Sequence, residues 1–205
     1  MKISLTDSGK RFNRDWIFRH FTYQFETGSS YAITGHNGSG KSTLLQVLSG
    51  SMMINEGKIN WTTGNGQQAT DTVYSEVSIC APYLEVIEEM TLTEFLEFHS
   101  SFKPFLPGIT SQLIIDKLGL VKAAGKQIRY YSSGMKQRVK LAQCIFSATS
   151  IVLLDEPCTN LDADGIALYH SLINDFCKDR LVIVSSNDET EYSFCKEKIS
   201  MADYK

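Results

Sequence analysis

Two hydrophobic spacings alternate along the chain. Short, nearly continuous apolar runs at Ser29 to Thr34, Val77 to Cys80, Ser150 to Asp155, Leu181 to Ser186 and Lys198 to Met201 predict strands, since a strand covered on both faces is apolar at consecutive positions. Ile3 to Thr6, Phe21 to Phe25 and Lys58 to Trp61 are further strand candidates. After Thr34 a glycine-rich loop leads into a helical stretch, Lys41 to Leu48, closed by Gly50. Strands alternating with helices at both ends of the chain predict a mainly parallel sheet covered by helices.

Between about residues 88 and 148 the texture changes. Thr91 to Ser101, Ile109 to Leu118 and Ser133 to Ser147 follow one another at helical spacing with no strand between them, which predicts an inserted helical lobe. In the last segment Met135, Val139, Ala142 and Phe146 share a packing face, and Lys136, Lys140 and Gln143 lie opposite. The expectation is one α/β domain over 1–205, with a core at about 1–87 and 149–205 and a helical subdomain at about 88–148.

Composition narrows the function. A chain of 205 residues, 42% hydrophobic, supports one good core. Its net charge of −3 creates no global field toward nucleic acid, so no nucleic-acid partner is expected. One local exception is the acid-free stretch Lys117 to Leu154, with Lys117, Lys122, Lys126, Arg129, Lys136, Arg138 and Lys140; a solvated face and a phosphate-facing one fit it about equally. Five scattered cysteines form neither metal pairs nor a disulfide framework and suit a reducing compartment. The longest aliphatic run, Ile151 to Leu154, is far too short to span a membrane, so any membrane crossing is expected in another chain.

The candidate chemistry begins at Gly35-His36-Asn37-Gly38-Ser39-Gly40-Lys41-Ser42. It satisfies G-x-x-x-x-G-K-[ST] between a strand and a helix, as a phosphate loop requires. Glycines let backbone amides turn inward as an anion nest, and the helix start adds its positive end. Lys41 can reach terminal phosphates, and the Ser42 hydroxyl suits magnesium. Downstream, Ile151-Val152-Leu153-Leu154-Asp155-Glu156-Pro157 carries two carboxylates to the C-terminal edge of the sheet, where ligand sites of open α/β sheets collect. Asp155 fits a magnesium held through water, and Glu156 fits a base for an attacking water.

With Tyr131-Ser132-Ser133-Gly134-Met135 followed by Lys136-Gln137-Arg138, the order of motifs resembles an ATP-binding cassette ATPase over essentially the whole chain. The five residues are similar to the family signature Leu-Ser-Gly-Gly-Gln. The resemblance implies a P-loop NTPase core with a mainly parallel sheet, an N-terminal antiparallel β portion and the helical subdomain. It also implies ATP and Mg2+ as ligands, gripped by Gly35 to Thr43. Ser132, Ser133, Gly134 and Met135 would face the γ-phosphate held by a second cassette, identical or related, in a head-to-tail pair. Lys10-Arg11-Phe12 resembles the segment whose aromatic stacks on adenine, making Phe12 the candidate and Trp16 the second. Thr159-Asn160-Leu161-Asp162 resembles the loop that crosses the dimer interface; Asp162 equally suits a helix cap.

Two positions depart from the family. Its magnesium-touching glutamine aligns with Tyr83, with Glu85 the alternative if the alignment slips, and its histidine after the last core strand aligns with Asn187. Asparagine can donate a hydrogen bond to a phosphate but cannot carry a proton near neutral pH, so slow hydrolysis driven by Glu156 is expected. The leading expectation is a cytoplasmic subunit at the inner membrane face, bound to an integral-membrane permease near residues 83–90 and powering transport, with export favoured. The alternative is a nucleotide-gated scaffold or a nucleic-acid- or ribosome-associated ATPase.

Overall fold

Alternation along five parallel strands sends successive side chains into two different cores. The computed structural model describes residues 1–63, 66–68 and 72–205. Its elements are β1 (Lys2–Phe12), β2 (Asp15–Glu26), β3 (Ser30–Thr34), α1 (Lys41–Leu48), β4 (Glu56–Thr63), β5 (Gly66–Gln68), β6 (Val77–Cys80), α2 (Leu92–Phe102), α3 (Ser111–Lys117), α4 (Ser133–Ile145), β7 (Ile151–Asp155), α5 (Ala163–Phe176), β8 (Leu181–Ser185), α6 (Glu189–Tyr192) and β9 (Glu197–Ser200). The parallel sheet has the order β6-β7-β8-β3-β9. Ile151, Leu153, Leu181, Ile183, Tyr31 and Ile33 pack against α1 and the antiparallel sheet. Val152, Leu154, Val182, Val184 and Ala32 pack against the helices of the other face. Burial on both faces explains the unbroken apolar runs.

The antiparallel sheet has the order β2-β1-β4-β5, and its first two strands are much longer than their apolar cores. Beyond Leu5 the register of β1 on β2 shifts repeatedly, so alternation fails there although pairing continues to Phe12 and Asp15. Asn13, at φ 54°, turns the hairpin. This length matters because it brings β2 against the phosphate loop.

The helical segments form as expected, each with a recognisable start. Thr91 and Glu94 make a reciprocal capping box on α2, and Thr110 caps α3. The last helix, α4, does more than close the lobe. Its residues Val139, Leu141, Ala142 and Ile145 join the main core, so α4 rigidly links the lobe to β6 and β7. Gln137, buried on it, donates to Pro157 O at 2.7 Å.

The end of α4 is held by a buried cation. Arg180 is 7% exposed and donates to Ile145 O at 2.6 Å, Ser147 O at 3.0 Å, and Thr149 O and Oγ1 at 2.7 and 2.6 Å. These oxygens sit at and just beyond the negative end of the helix, which suits a guanidinium. All five cysteines are free thiols. Burial pushes Cys144 and Cys158 up to about 12 and Cys177 to about 11, leaving little thiolate for reaction.

Candidate functional site

The phosphate loop occupies the bend between β3 and α1, and its backbone can be made only by particular residues. Gly40, immediately before α1, has φ 101°, and a Cβ there would stand 2.5 Å from Ile17 Cγ2. Both the left-handed backbone and the contact with β2 therefore demand glycine. Gly35 and Gly38 also take positive φ. Lys41 is 6% exposed, and its ammonium curls back to donate to Gly35 O at 2.6 Å and His36 O at 3.4 Å. Asn37, Gly38, Ser39, Gly40, Lys41, Ser42 and Thr43 line a cavity of about 270 Å3 with Ile17 and Glu156. The exposed His36 ring turns to Asn37 O instead.

The acidic strand end meets this cavity. Asp155 is buried in register with Ser185 of β8. Glu156 holds a left-handed φ of 45° while its amide donates to Ser185 O at 2.9 Å; a non-glycine residue in that conformation is strained, as functional side chains often are. The turn thus buries one carboxylate and delivers the next to the loop. Asn187 sits against the loop, where its Oδ1 accepts from Gly35 N at 3.1 Å and its Nδ2 lies 3.5 Å from Asn37 Oδ1. The structure therefore brings both Asn187 and Glu156 to the phosphate loop, the first at Gly35 and Asn37 and the second in the cavity wall, although they are far apart in sequence.

The donor set fits magnesium. Ser42 and Asp155 offer oxygen only, and Ser185 Oγ beside Asp155 is buried without a hydrogen-bond partner, available to a coordinated water. Among the described residues there is no cluster of three His, Cys, Asp or Glu that could hold a metal by itself.

Other candidates fall elsewhere. Phe12, 47% exposed, lies under Lys10 Nζ at 5.2 Å and is not among the residues lining the loop cavity. Trp16 is flanked by Arg11 and Arg19. Ile17, which sequence reasoning missed, supplies the apolar wall; only the hairpin register of β1 and β2 could have revealed it. Tyr83 faces a cleft with Gln46, Tyr74, Leu84 and Lys103, and burial, with a smaller push from Asp155, raises its phenol. Glu85 faces another, with Ser133, Lys136, Lys140 and Asn160. Neither lines the loop cavity.

The Ser132 helix start opens into a separate cavity. Ser132 caps α4, accepting from Met135 N at 3.3 Å. Ser132, Ser133, Gly134 and Met135 line a cavity of about 550 Å3 with Lys122, Arg138, Asn160 and Asp162. Asp162 caps α5 through Gly165 N at 2.8 Å and also meets Arg138; this pairing holds its carboxyl below the usual range, chiefly through the Gly165 amide. No residue lines both this cavity and that of the phosphate loop.

Comparison with known proteins agrees with this geometry. A family profile described as ABC transporter matches residues 18–159. An uncharacterized ABC transporter ATP-binding protein of Bacillus subtilis, YybJ, is 29% identical over 203 residues, 97% of this chain and 92% of its own. The cytochrome c biogenesis ATP-binding export protein CcmA of Cupriavidus pinatubonensis is 30% identical over 80% of this chain and 73% of its own. A solved ABC transporter ATP-binding protein of Pyrococcus furiosus, titled putative, superposes with a TM-score of 0.82 at 23% identity, covering 100% of this chain and 99% of that one. At 0.79 and 18%, a bacterial Atm1-family ABC exporter with ATP bound covers 97% of this chain, which matches 37% of that one. These two structural likenesses concern the fold.

Proposed function

Because the chain belongs to the ABC transporter family, whose cassettes hydrolyse ATP and work with membrane permeases, we propose that it drives export by ATP-dependent closure of two cassettes. The observation that carries this reading is the separation of the two anion sites. The phosphate loop and the Ser132 helix start open into different cavities of one chain, so a γ-phosphate contacting both needs a second copy or a related cassette. Export rather than import is supported by the relatives described as export proteins.

In this reading the amides of Gly38 to Thr43 and the Lys41 ammonium grip the phosphates. Mg2+, held by Ser42 and through water by Asp155, would neutralise phosphate charge. Glu156 accepts the proton of the attacking water, and Asn187 positions the γ-phosphate without taking a proton. Exposed Tyr74, Tyr83, Leu84, Ile87, Phe98 and Phe102 give a permease an apolar docking face near α1 and α2 at the inner side of the membrane. Among the described residues no helix is long and apolar enough to cross a membrane.

Gel filtration with ATP tests closure. Ser132→Arg should block ATP-driven dimers and lower turnover on the order of 100-fold while each monomer still binds ATP; dimers that persist would remove the Ser132 cavity from the site. Asn187→His should raise kcat if proton handling at this position limits the rate, and an unchanged kcat would place the slow step elsewhere. The alternative, a nucleotide-gated scaffold with little turnover, is favoured by Tyr83 and Asn187 at the two departing positions. It predicts ATP-dependent dimers without measurable phosphate release, with or without a permease.

A further inference from the structure

The segment after β8 touches both ends of the nucleotide machinery, and one buried acid makes the second connection. Asn187 accepts from Gly35 N in the phosphate loop. Four residues later Glu191, 5% exposed, accepts from Cys158 N at 2.7 Å through Oε1. That amide lies two residues beyond Glu156, at the head of the stretch leading to Asn160 and Asp162.

Between these contacts the segment is internally braced. Asp188 N donates to Ser186 Oγ at 2.9 Å, and Thr190 N donates to Asp188 Oδ1 at 2.9 Å. Behind it, the Tyr169 hydroxyl of α5 donates to Glu191 O at 2.8 Å. The Glu156 turn is thus held at two points by the consecutive elements β8 and α6, by Ser185 O at its own amide and by Glu191 at Cys158. A strained residue at φ 45° keeps its conformation only when its surroundings over-determine it, and these two bonds are such a constraint. A buried carboxylate is also costly unless hydrogen bonds compensate it; burial raises the Glu191 carboxyl, opposed by its hydrogen bonds from Ser186 and the Cys158 amide.

We propose that Glu191 is a positioning residue: through Cys158 N–H it fixes the turn that aims Glu156 and joins that turn mechanically to the Asn187 segment on the phosphate loop. The proposal rests on the reading of Glu156 as the base. Movement of Asn187 when phosphate arrives then moves the start of the Thr159–Asp162 loop, because one braced segment carries both contacts.

Steady-state kinetics of Glu191→Ala and Glu191→Gln beside wild type test this. Misaiming a base by about 1 Å costs on the order of 100-fold, so the alanine variant should lose about that factor in kcat with its ATP dissociation constant unchanged. The glutamine variant keeps an oxygen acceptor for Cys158 N–H and should recover to within a few-fold of wild type. A kcat retained in the alanine variant, a parallel fall in kcat and ATP affinity, or a glutamine variant as slow as alanine would each overturn the proposal. Amide exchange gives a measurement independent of whether the alanine variant folds: the Cys158 amide of the wild-type protein should exchange slowly, and free exchange there overturns the proposal. Glu156→Gln, run alongside, separates the two readings. Normal turnover in that variant removes the base itself, whereas a dead Glu156→Gln with a normal Glu191→Ala removes only the positioning role.

Discussion

Glu156→Gln should reduce ATP turnover by about three orders of magnitude while leaving ATP binding intact. Glutamine has the same shape and keeps an oxygen toward the attacking water, but its amide cannot accept a proton. General-base contributions are typically about 10²–10⁴-fold. The residue lines the phosphate-loop cavity, yet the gripping groups are backbone amides, Lys41 and Ser42, which the substitution does not touch. Binding and chemistry should therefore separate. With hydrolysis stopped, ATP should hold the variant as a dimer on gel filtration at concentrations where wild type is a monomer. Phosphate release within a few-fold of wild type would dismiss Glu156 from the mechanism.

The largest expected stability loss lies far from ATP. Arg180→Met should lower the unfolding free energy by about 3–5 kcal/mol, the loss expected when several buried acceptors share one missing donor group. Methionine fills much of the volume, so the loss is not mainly one of packing. What goes is the set of donors to Ile145 O, Ser147 O, Thr149 O and Thr149 Oγ1. Buried acceptors left without donors cost about 1–3 kcal/mol each before relaxation. Arg180→Lys keeps the charge but not the forked geometry, and should recover part of the loss. Urea denaturation measures both; a change below about 1 kcal/mol for Met would mean that water replaces the guanidinium.

Much of the fold is legible in the sequence. The parallel strands announce themselves because burial on both faces makes them continuously apolar, and Gly35 to Ser42 combines a local motif with a local structure. The long outer halves of β1 and β2 were not legible, because register shifts destroy the alternation from which strands are recognised. Ile17 was invisible for the same reason, its role resting on where a hairpin lands against Gly40. Arg180 and Glu191 look in sequence like ordinary surface charges. Only folding shows that one closes a helix end and the other holds Cys158, since their partners are backbone groups that carry no residue-type signal. The aromatic at Phe12 resembles the family's adenine-stacking residue by position, and the apolar wall of the phosphate-loop cavity is Ile17.

The curled side chain of Lys41 bears on which ligands the protein accepts. Its ammonium donates to the carbonyl oxygens of Gly35 and His36. An incoming anion competes with contacts the protein makes to itself, and only the surplus counts toward affinity. A ligand presenting one weakly charged oxygen gains little by the exchange. A polyphosphate, which engages the ammonium and several backbone amides together, gains a great deal. A preference for a chain of phosphates over a single one thus follows from the contacts of one lysine.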